Sequence, residues 1–163
     1  TIGPAIMVDV SGKAKANRDY LIGVADLQAW ENTNGRIPDG SIVLLRTGYD
    51  RYWPDAEQYL GTAERGTAAI ARLHFPGLGP DAAQWLVQQR HIKAVGLDTA
   101  SIDYGQSTRF ECHRILAHDH IPIFENLKGL DQLPATGSEV VALPMKIEGG
   151  SGAPLRAVAV VRD

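Results

Sequence analysis

The segment from Gly96 to Leu127 carries most of the residues in this chain that could do chemistry. It contains three of the five histidines, the only cysteine and five carboxylates. Its polar residues begin at Asp98, directly after the apolar run at positions 92–97. Polar, metal-competent side chains at the end of a buried strand are a common way to build an active site. We therefore take this segment as the candidate active site.

His113 and Glu125 are the candidate metal ligands in this segment. Twelve positions separate them, which is too far for one helical face but suits a helix that turns back into a strand. Imidazole and carboxylate are zinc ligands, but a catalytic zinc site needs three protein ligands. On spacing alone, a solvated helix residue and a strand-end carboxylate are the alternative. We predict that the two side chains approach each other at one end of the sheet, near Asp98.

Asp98, Thr99 and Ser101 have two interpretations of equal weight. They could orient metal ligands or substrate from the end of the strand. They could equally form a turn stabilised by their own carboxylate and hydroxyl hydrogen bonds.

Three further residues could do chemistry, but the sequence favours a structural role for each of them. His118 and His120 flank Asp119 where a helix should turn into a strand, a place where polar residues are expected. Cys112 is adjacent to His113, and neighbouring helical residues point about 100° apart, so the two do not form a nucleophile–base pair. We predict that Cys112 is a small buried residue.

The hydrophobic pattern predicts alternating strands and helices, hence an α/β fold with a mixed β-sheet flanked by helices. We treat residues 1–163 as a single domain, since the length suits one core. Ser107 or Thr108 is the expected cap of the last helix. The glycine-rich stretch 148–154 predicts a hairpin loop. Predicted strands cover 5–10, 41–46, 92–97, 121–124, 140–147 and 155–161, and predicted helices cover 24–31, 63–73, 80–90 and 107–118.

Composition limits which binding partners and which cellular compartment we expect for this protein. The net charge is −3 without a basic run, which argues against nucleic acid and anionic membrane surfaces. No stretch approaches the roughly 18 consecutive apolar residues of a membrane span. A single cysteine excludes an internal disulfide and fits a reducing compartment, so we expect a cytoplasmic protein.

Three stretches closely resemble the cyclase family of metal-dependent hydrolases, which includes bacterial kynurenine formamidases and isatin hydrolases. They are LDTASID at 97–103, CHRIL at 112–116 and IFENLKGLDQLP at 123–134. Weaker similarity extends the match over nearly the whole chain, at residues 2–5, 9–10, 46–49, 75–78, 142–147 and 152–158. The order and spacing of these stretches make the resemblance specific.

The resemblance implies a swivelling β/β/α-like fold and a metal centre. His113 and Glu125 match a histidine and a carboxylate ligand of a centre that holds two zinc ions in some members and manganese in others. The implied reaction is attack of a metal-activated water on a small amide, lactam or lactone. N-formylkynurenine is the type substrate, which would place the protein in tryptophan catabolism.

One family motif is absent from the sequence. Family enzymes carry His-x-Gly-Thr-His-x-Asp-x-Pro-x-His upstream of the strand matched by Ile2 to Val10, and this motif supplies most metal ligands and the catalytic base. The catalytic residue therefore stays unknown, and we expect an N-terminal segment to be missing and the chain alone to be nearly inactive. Two functions stay open. The chain is a hydrolase of small molecules completed by that segment, or a non-catalytic remnant that acts as a binding or assembly module.

Assembly is the last expectation from the sequence. Family enzymes are homodimers or larger, and Tyr49, Tyr52 and Trp53 look exposed in a loop. Loss of an N-terminal segment would also uncover apolar residues of the first strand, namely Ile6, Val8 and Val10. Because large uncovered apolar patches find partners, we expect a homo-oligomer or a complex with a separate N-terminal chain.

Overall fold

A six-stranded mixed sheet organises the computed structural model, which describes residues 1–161. Residues 162 and 163, which the predicted domain also includes, lie outside the described residues. The strands of this sheet are β1 (Ile2–Asp9), β3 (Ile42–Arg46), β5 (Ala94–Leu97), β6 (Ile123–Phe124), β7 (Ser138–Pro144) and β8 (Leu155–Val161). Two short strands, β2 (Leu21–Ile22) and β4 (Gly77–Leu78), form a separate parallel pair.

Across residues 1–161, five α-helices and three 3₁₀ turns connect the strands. The helices are α1 (Ser11–Ala16), α2 (Val24–Asn34), α3 (Ala56–Leu60), α4 (Pro80–Arg90) and α5 (Glu111–His118). The 3₁₀ turns cover Tyr49–Tyr52, Thr67–Arg72 and Leu130–Gln132. The predicted α/β class with a mixed sheet is confirmed, as is the hairpin between β7 and β8. Within residues 1–161, no helix is long and apolar enough to cross a membrane.

The order of the strands decides where the site can form. The strand order in the sheet is β6-β5-β3-β1-β7-β8. Strands β6, β5, β3 and β1 are mutually parallel, β7 pairs antiparallel with β1, and β8 pairs antiparallel with β7. Parallel strands end at the same edge of a sheet, so the residues that follow β5 and β6 emerge side by side. The continuous apolar run of β3 fits its central, fully covered position.

Two hydrophobic clusters pack on the two faces of the sheet. On one face, α2, α4 and α5 contribute residues such as Leu27, Leu86 and Leu116, all fully buried against β1, β3 and β5. On the other face, the turn that carries Leu130 covers Leu44, Phe124 and their neighbours. The segment 125–134, which follows directly from β6, therefore packs over the second face of the sheet.

Two sequence expectations about exposed surface are wrong. Ile6, Val8 and Val10 are at most 5% exposed, because β1 is an inner strand whose face is covered by the helices of this same chain. Tyr49 is also buried, at 2% exposure, in a small aromatic cluster with Tyr59 and Phe75. The neighbouring Trp53 is 60% exposed, as expected.

The predicted helix over 63–73 is also wrong. The chain forms α3 earlier, at Ala56–Leu60, and then only a 3₁₀ turn at Thr67–Arg72. Gly61 and Gly66 separate the two with φ of 90° and 87°, in a backbone region that few residues other than glycine adopt. A regular helix cannot continue through such positions.

Apolar surface is exposed elsewhere, on the outer strands. Ile2, Val141 and Val158 lie in register across β1, β7 and β8, so their side chains share one face. Leu143 and Val160 extend this outer face by alternation along the strands. Four of these five residues, Ile2, Leu143, Val158 and Val160, are 46–56% exposed.

We propose that a second copy of the chain covers this outer face in solution. The assembly should scatter light as a particle larger than the 17.6 kDa chain at micromolar concentration. Val158→Lys should shift it to the monomer, because a charge would be buried in an apolar contact. Leu21→Lys, at an exposed apolar position outside the outer face, is the matched control. A monomeric wild-type protein would exclude this assembly.

Candidate active site

The carboxyl ends of β5 and β6 stay paired beyond the strands themselves. Asn126 N–H donates to the Thr99 carbonyl at 2.8 Å, and Leu127 N–H donates to the Leu97 carbonyl at 3.0 Å. These two hydrogen bonds place Glu125, the first residue after β6, against the loop that follows β5. Ile102 N–H then donates to Glu125 Oε1 at 2.8 Å, which orients the carboxylate.

His113 reaches the same place from helix α5. Its Nε2 lies 3.2 Å from Glu125 Oε1, with the two side chains 38% and 29% exposed. The predicted approach of His113 and Glu125 at one end of the sheet is therefore confirmed. Both groups remain accessible to a small molecule. Their role as metal ligands stays a prediction.

Asp103 is the residue that orients His113, and sequence reasoning missed it. Its carboxylate is 3% exposed, and Oδ2 lies 2.6 Å from His113 Nδ1. A carboxylate on Nδ1 selects the tautomer that carries its proton there, so the lone pair of the neutral ring lies on Nε2. Nε2 is also the ring nitrogen that faces Glu125 Oε1. The only sequence signal was the position of Asp103 at the end of the 97–103 stretch.

The same Asp103 carboxylate also caps helix α5. Cys112 N–H donates to Oδ1 at 2.9 Å and His113 N–H donates to Oδ2 at 3.2 Å. The helix begins at Glu111, so the predicted start at 107 and the predicted cap by Ser107 or Thr108 are wrong. Ser107 instead accepts from Phe110 N–H within a turn. A carboxylate eight positions before the helix supplies the cap that no local side chain supplies.

The geometry of His113 and Glu125 fits a shared cation. Two donor atoms bound at ~2.1 Å and separated by 3.2 Å subtend roughly 100° at the ion, close to the angle of a tetrahedral or octahedral site. Within the described part of the chain, no group of three or more histidine, cysteine, aspartate or glutamate side chains could hold a metal. The pair therefore offers two donor atoms, fewer than the three protein ligands of a catalytic zinc site.

Asp98 lies at the same edge but binds a different loop. Its carboxylate accepts from Thr47 N–H at 2.8 Å, Thr47 Oγ1 at 2.6 Å and Gly48 N–H at 2.6 Å. Complete burial raises the pKa of this carboxyl, against the opposing effect of the three donors. Asp98 therefore ties the end of β3 to the end of β5, and the three groups that donate to its carboxylate belong to neither His113 nor Glu125.

Thr99 and Ser101 form the turn after β5. Thr99 Oγ1 donates to the Ser101 carbonyl at 3.0 Å, and both residues are at least partly buried. Of the two interpretations left open by the sequence, these hydrogen bonds favour the stabilised turn. The turn contributes to the site indirectly, because it leads to the Ile102 N–H that binds Glu125.

Tyr59 is a second residue that the sequence did not single out. Its hydroxyl lies 3.0 Å from Asn126 Oδ1 and 3.2 Å from the Asp98 carbonyl oxygen. Burial, together with the nearby Asp98, Asp50 and Glu125 carboxylates, raises the pKa of this phenol. The protonated hydroxyl therefore holds the residue after Glu125 against the end of β5.

The remaining candidates have the structural roles that the sequence favoured. Cys112 is fully buried, its Sγ lies 2.9 Å from the Leu78 carbonyl oxygen, and burial raises the pKa of the thiol. His118 ends α5 and is exposed, and His120 follows in the turn toward β6. Within residues 1–161, neither histidine makes a hydrogen bond or an ion pair with His113 or Glu125.

The structure has a mixed sheet with a histidine–carboxylate pair beside the ends of its parallel strands. Comparisons with known proteins identify the class of protein that has these features. The Cyclase family model, described as "Putative cyclase", matches residues 1–104. Isatin hydrolase of Roseibium aggregatum is 33% identical over 164 residues, covering 98% of this chain and 60% of that protein. Kynurenine formamidase of Paracidovorax citrulli is 39% identical over 146 residues, covering 85% of this chain and 59% of that protein.

Solved structures agree with these relatives. Isatin hydrolase A from Ralstonia solanacearum superposes with a TM-score of 0.89 at 39% identity, covering 99% of this chain and 60% of that one. An isatin hydrolase bound to the product analogue thioisatinate gives 0.89 at 34% identity, covering 99% and 61%. The chain belongs to the cyclase family. It spans about three-fifths of the length of the relatives it matches.

We predict that Asp103→Asn weakens metal binding without unfolding the protein. Asparagine keeps an oxygen that can cap α5 but removes the negative charge beside His113 Nδ1–H. A carboxylate partner of a metal-binding histidine is typically worth 10–100-fold in metal affinity. Calorimetric titration of the complete polypeptide that the gene encodes with Zn²⁺ or Mn²⁺ measures the effect. Asp119→Asn, an exposed carboxylate at the other end of α5, is the matched control. Unchanged affinity would show that Asp103 only caps the helix.

A second prediction concerns stability. Asp98→Ala should lower the free energy of unfolding by about 3–5 kcal/mol, because three buried donors at Thr47 and Gly48 lose their acceptor. Urea unfolding monitored by circular dichroism measures this loss. Asp131→Ala, at an exposed aspartate, should change it by no more than about 0.5 kcal/mol. A loss below about 1 kcal/mol at Asp98 would mean that the loop finds other acceptors.

Proposed function

We propose that this chain forms the larger part of a metal-dependent hydrolase of small amides or lactams, resembling the arylformamidases. The observation that carries this proposal is the 3.2 Å approach of His113 Nε2 to Glu125 Oε1 at the accessible ends of β5 and β6. The names of the relatives, isatin hydrolase and kynurenine formamidase, support hydrolysis of such substrates.

The residues of this chain would act by holding and orienting. His113 and Glu125 would hold a divalent ion, zinc or manganese, together with ligands outside the described residues. The ion, when bound, supplies Lewis-acid chemistry that lowers the pKa of a coordinated water and polarises a carbonyl. Asp103 keeps the His113 proton on Nδ1 and orients the ring, so that Nε2 would be the atom that holds the ion. Ile102 N–H binds Glu125 Oε1, the oxygen that faces His113 Nε2, and so orients the carboxylate.

The compartment and pathway complete the proposal. The single cysteine is buried and inert, which fits a protein of the cytoplasm. Among candidate substrates, the aryl formamides of tryptophan catabolism follow from the kynurenine formamidase relatives.

The test is hydrolysis of formanilide and isatin by the complete polypeptide that the gene encodes, with Zn²⁺ or Mn²⁺ added. We expect metal-stimulated turnover that falls at least roughly 100-fold in His113→Ala and in Glu125→Gln. His118→Ala, an exposed histidine on the same helix, should leave the rate unchanged. Residues 1–163 alone should hydrolyse close to the buffer rate, since two ligands hold an ion weakly and no base is positioned.

Other outcomes would contradict parts of the proposal. Full turnover by residues 1–163 that His113→Ala abolishes would show that no further segment is needed. Turnover that survives both substitutions would remove His113 and Glu125 from the site. The absence of hydrolysis by the complete polypeptide with either metal would favour the alternative, a non-catalytic binding or assembly module.

A further inference from the structure

A small aromatic pocket lies directly beside the candidate site. Its volume is about 170 Å³, and an engineered apolar cavity of roughly 150 Å³ is enough to bind benzene. The pocket is therefore large enough for a single ring with a small substituent. Its lining residues are Asp50, Trp53, Tyr59, Asn126, Leu127 and Lys128.

Two aromatic side chains form the apolar part of this pocket. Trp53 is 60% exposed, an unusual position for a large aromatic residue with no partner chain over it. The Tyr59 ring packs edge-on to it, with ring centroids 5.6 Å apart and planes at 86°. Trp53 thus offers an open ring surface against a neighbour that is itself buried. Aromatic ligands bind such surfaces by offset or edge-on packing.

The pocket is rigidly connected to the candidate site. The Tyr59 hydroxyl contacts Asn126 Oδ1 at 3.0 Å, and Asn126 follows Glu125 in the chain. Asp50 Oδ2 accepts from Gly129 N–H at 3.1 Å, which anchors the backbone next to Lys128. Both walls are therefore held by the segment that presents Glu125.

The pocket lining carries two charged residues, Asp50 and Lys128. The Asp50 carboxylate accepts from Gly129 N–H, whereas Lys128 has no partner in residues 1–161. Its side chain is exposed, and it makes no hydrogen bond or ion pair within residues 1–161. An ammonium group on the rim of an aromatic pocket is complementary to a ligand whose ring carries a carboxylate.

We propose that this pocket binds an aromatic carboxylate, with the ring against Trp53 and Tyr59 and the carboxylate on Lys128. The inference deepens the proposed function and rests on it for the role of the ligand. In that role, the pocket holds the aryl part of the substrate or product while the bond to be cleaved faces His113 and Glu125. Trp53 and Lys128 are then the residues that determine specificity.

The experiment is a titration of the ¹⁵N-labelled protein with benzoate, without added metal, observed through the indole N–H signals of its three tryptophans. Trp53→Phe assigns the Trp53 signal. We expect benzoate to shift this signal with a Kd in the range of about 1–10 mM, as suits a fragment of nine heavy atoms. The signals of buried Trp30 and of Trp85, which stacks under Arg90, should stay in place.

Matched variants test the charge and the ring separately. Lys128→Met keeps the aliphatic stem and should weaken benzoate binding roughly five-fold, as an exposed ion pair of about 1 kcal/mol requires. Lys146→Met, at an exposed lysine of the β7–β8 hairpin, should leave binding unchanged. Benzyl alcohol, which lacks the charge, should bind wild type and Lys128→Met equally. Trp53→Ala, followed through the backbone amide signal of Lys128, should abolish detectable binding, with unchanged circular dichroism.

The remaining outcomes either contradict the pocket or separate it from the proposed function. Equal shifts of all three indole signals, or equal benzoate affinity in wild type and Lys128→Met, would overturn the proposal. The proposed function fails separately. Benzoate binding at Trp53 in a protein that hydrolyses no amide would keep the pocket and reject the hydrolase. Hydrolysis of formanilide with KM unchanged by Trp53→Ala would keep the hydrolase and reject the pocket.

Discussion

The Asp103 carboxylate is the interaction on which the candidate site depends. It is almost fully buried, and a buried carboxylate is costly unless donors surround it. Two backbone N–H groups at the start of α5 and the Nδ1 atom of His113 meet that need. One charge therefore fixes where the helix begins and which nitrogen of His113 is available. The orientation of His113 is built into the folding of the helix that carries it.

The strand order brings the other half of the site into place. β5 and β6 are parallel neighbours, and their hydrogen bonds continue past Leu97 and Phe124. Glu125 then faces α5 because the loop after β5 supplies the Ile102 N–H as its anchor. Asp98, at the same edge, binds the loop after β3. The two buried carboxylates therefore have different roles, since Asp98 joins two loops to each other and Asp103 positions His113.

Much of this arrangement could be predicted from the sequence, because periodicity reports burial directly. The strands around Ile42–Arg46, Ala94–Leu97 and Leu155–Val161 lie where their apolar patterns place them, and α4 begins at Pro80 as expected. The meeting of His113 and Glu125 followed from the strand end and the helix–strand turn. Asp103 and Tyr59 could not be predicted, since their contacts span 10 and 67 positions and arise only from packing. The same limit applies to the cap of α5, which comes from a distant carboxylate.

The buried Asp98 has a consequence for how the protein can open. Its carboxylate accepts hydrogen bonds from Thr47 and Gly48, and Gly48 leads directly into the turn that contains Tyr49 and Asp50. Tyr59 binds the carbonyl of that same Asp98 and the residue after Glu125. The loops around the candidate site therefore share one buried anchor. Amide protons in these loops should exchange with solvent as one cooperative unit, in step with the sheet that carries them.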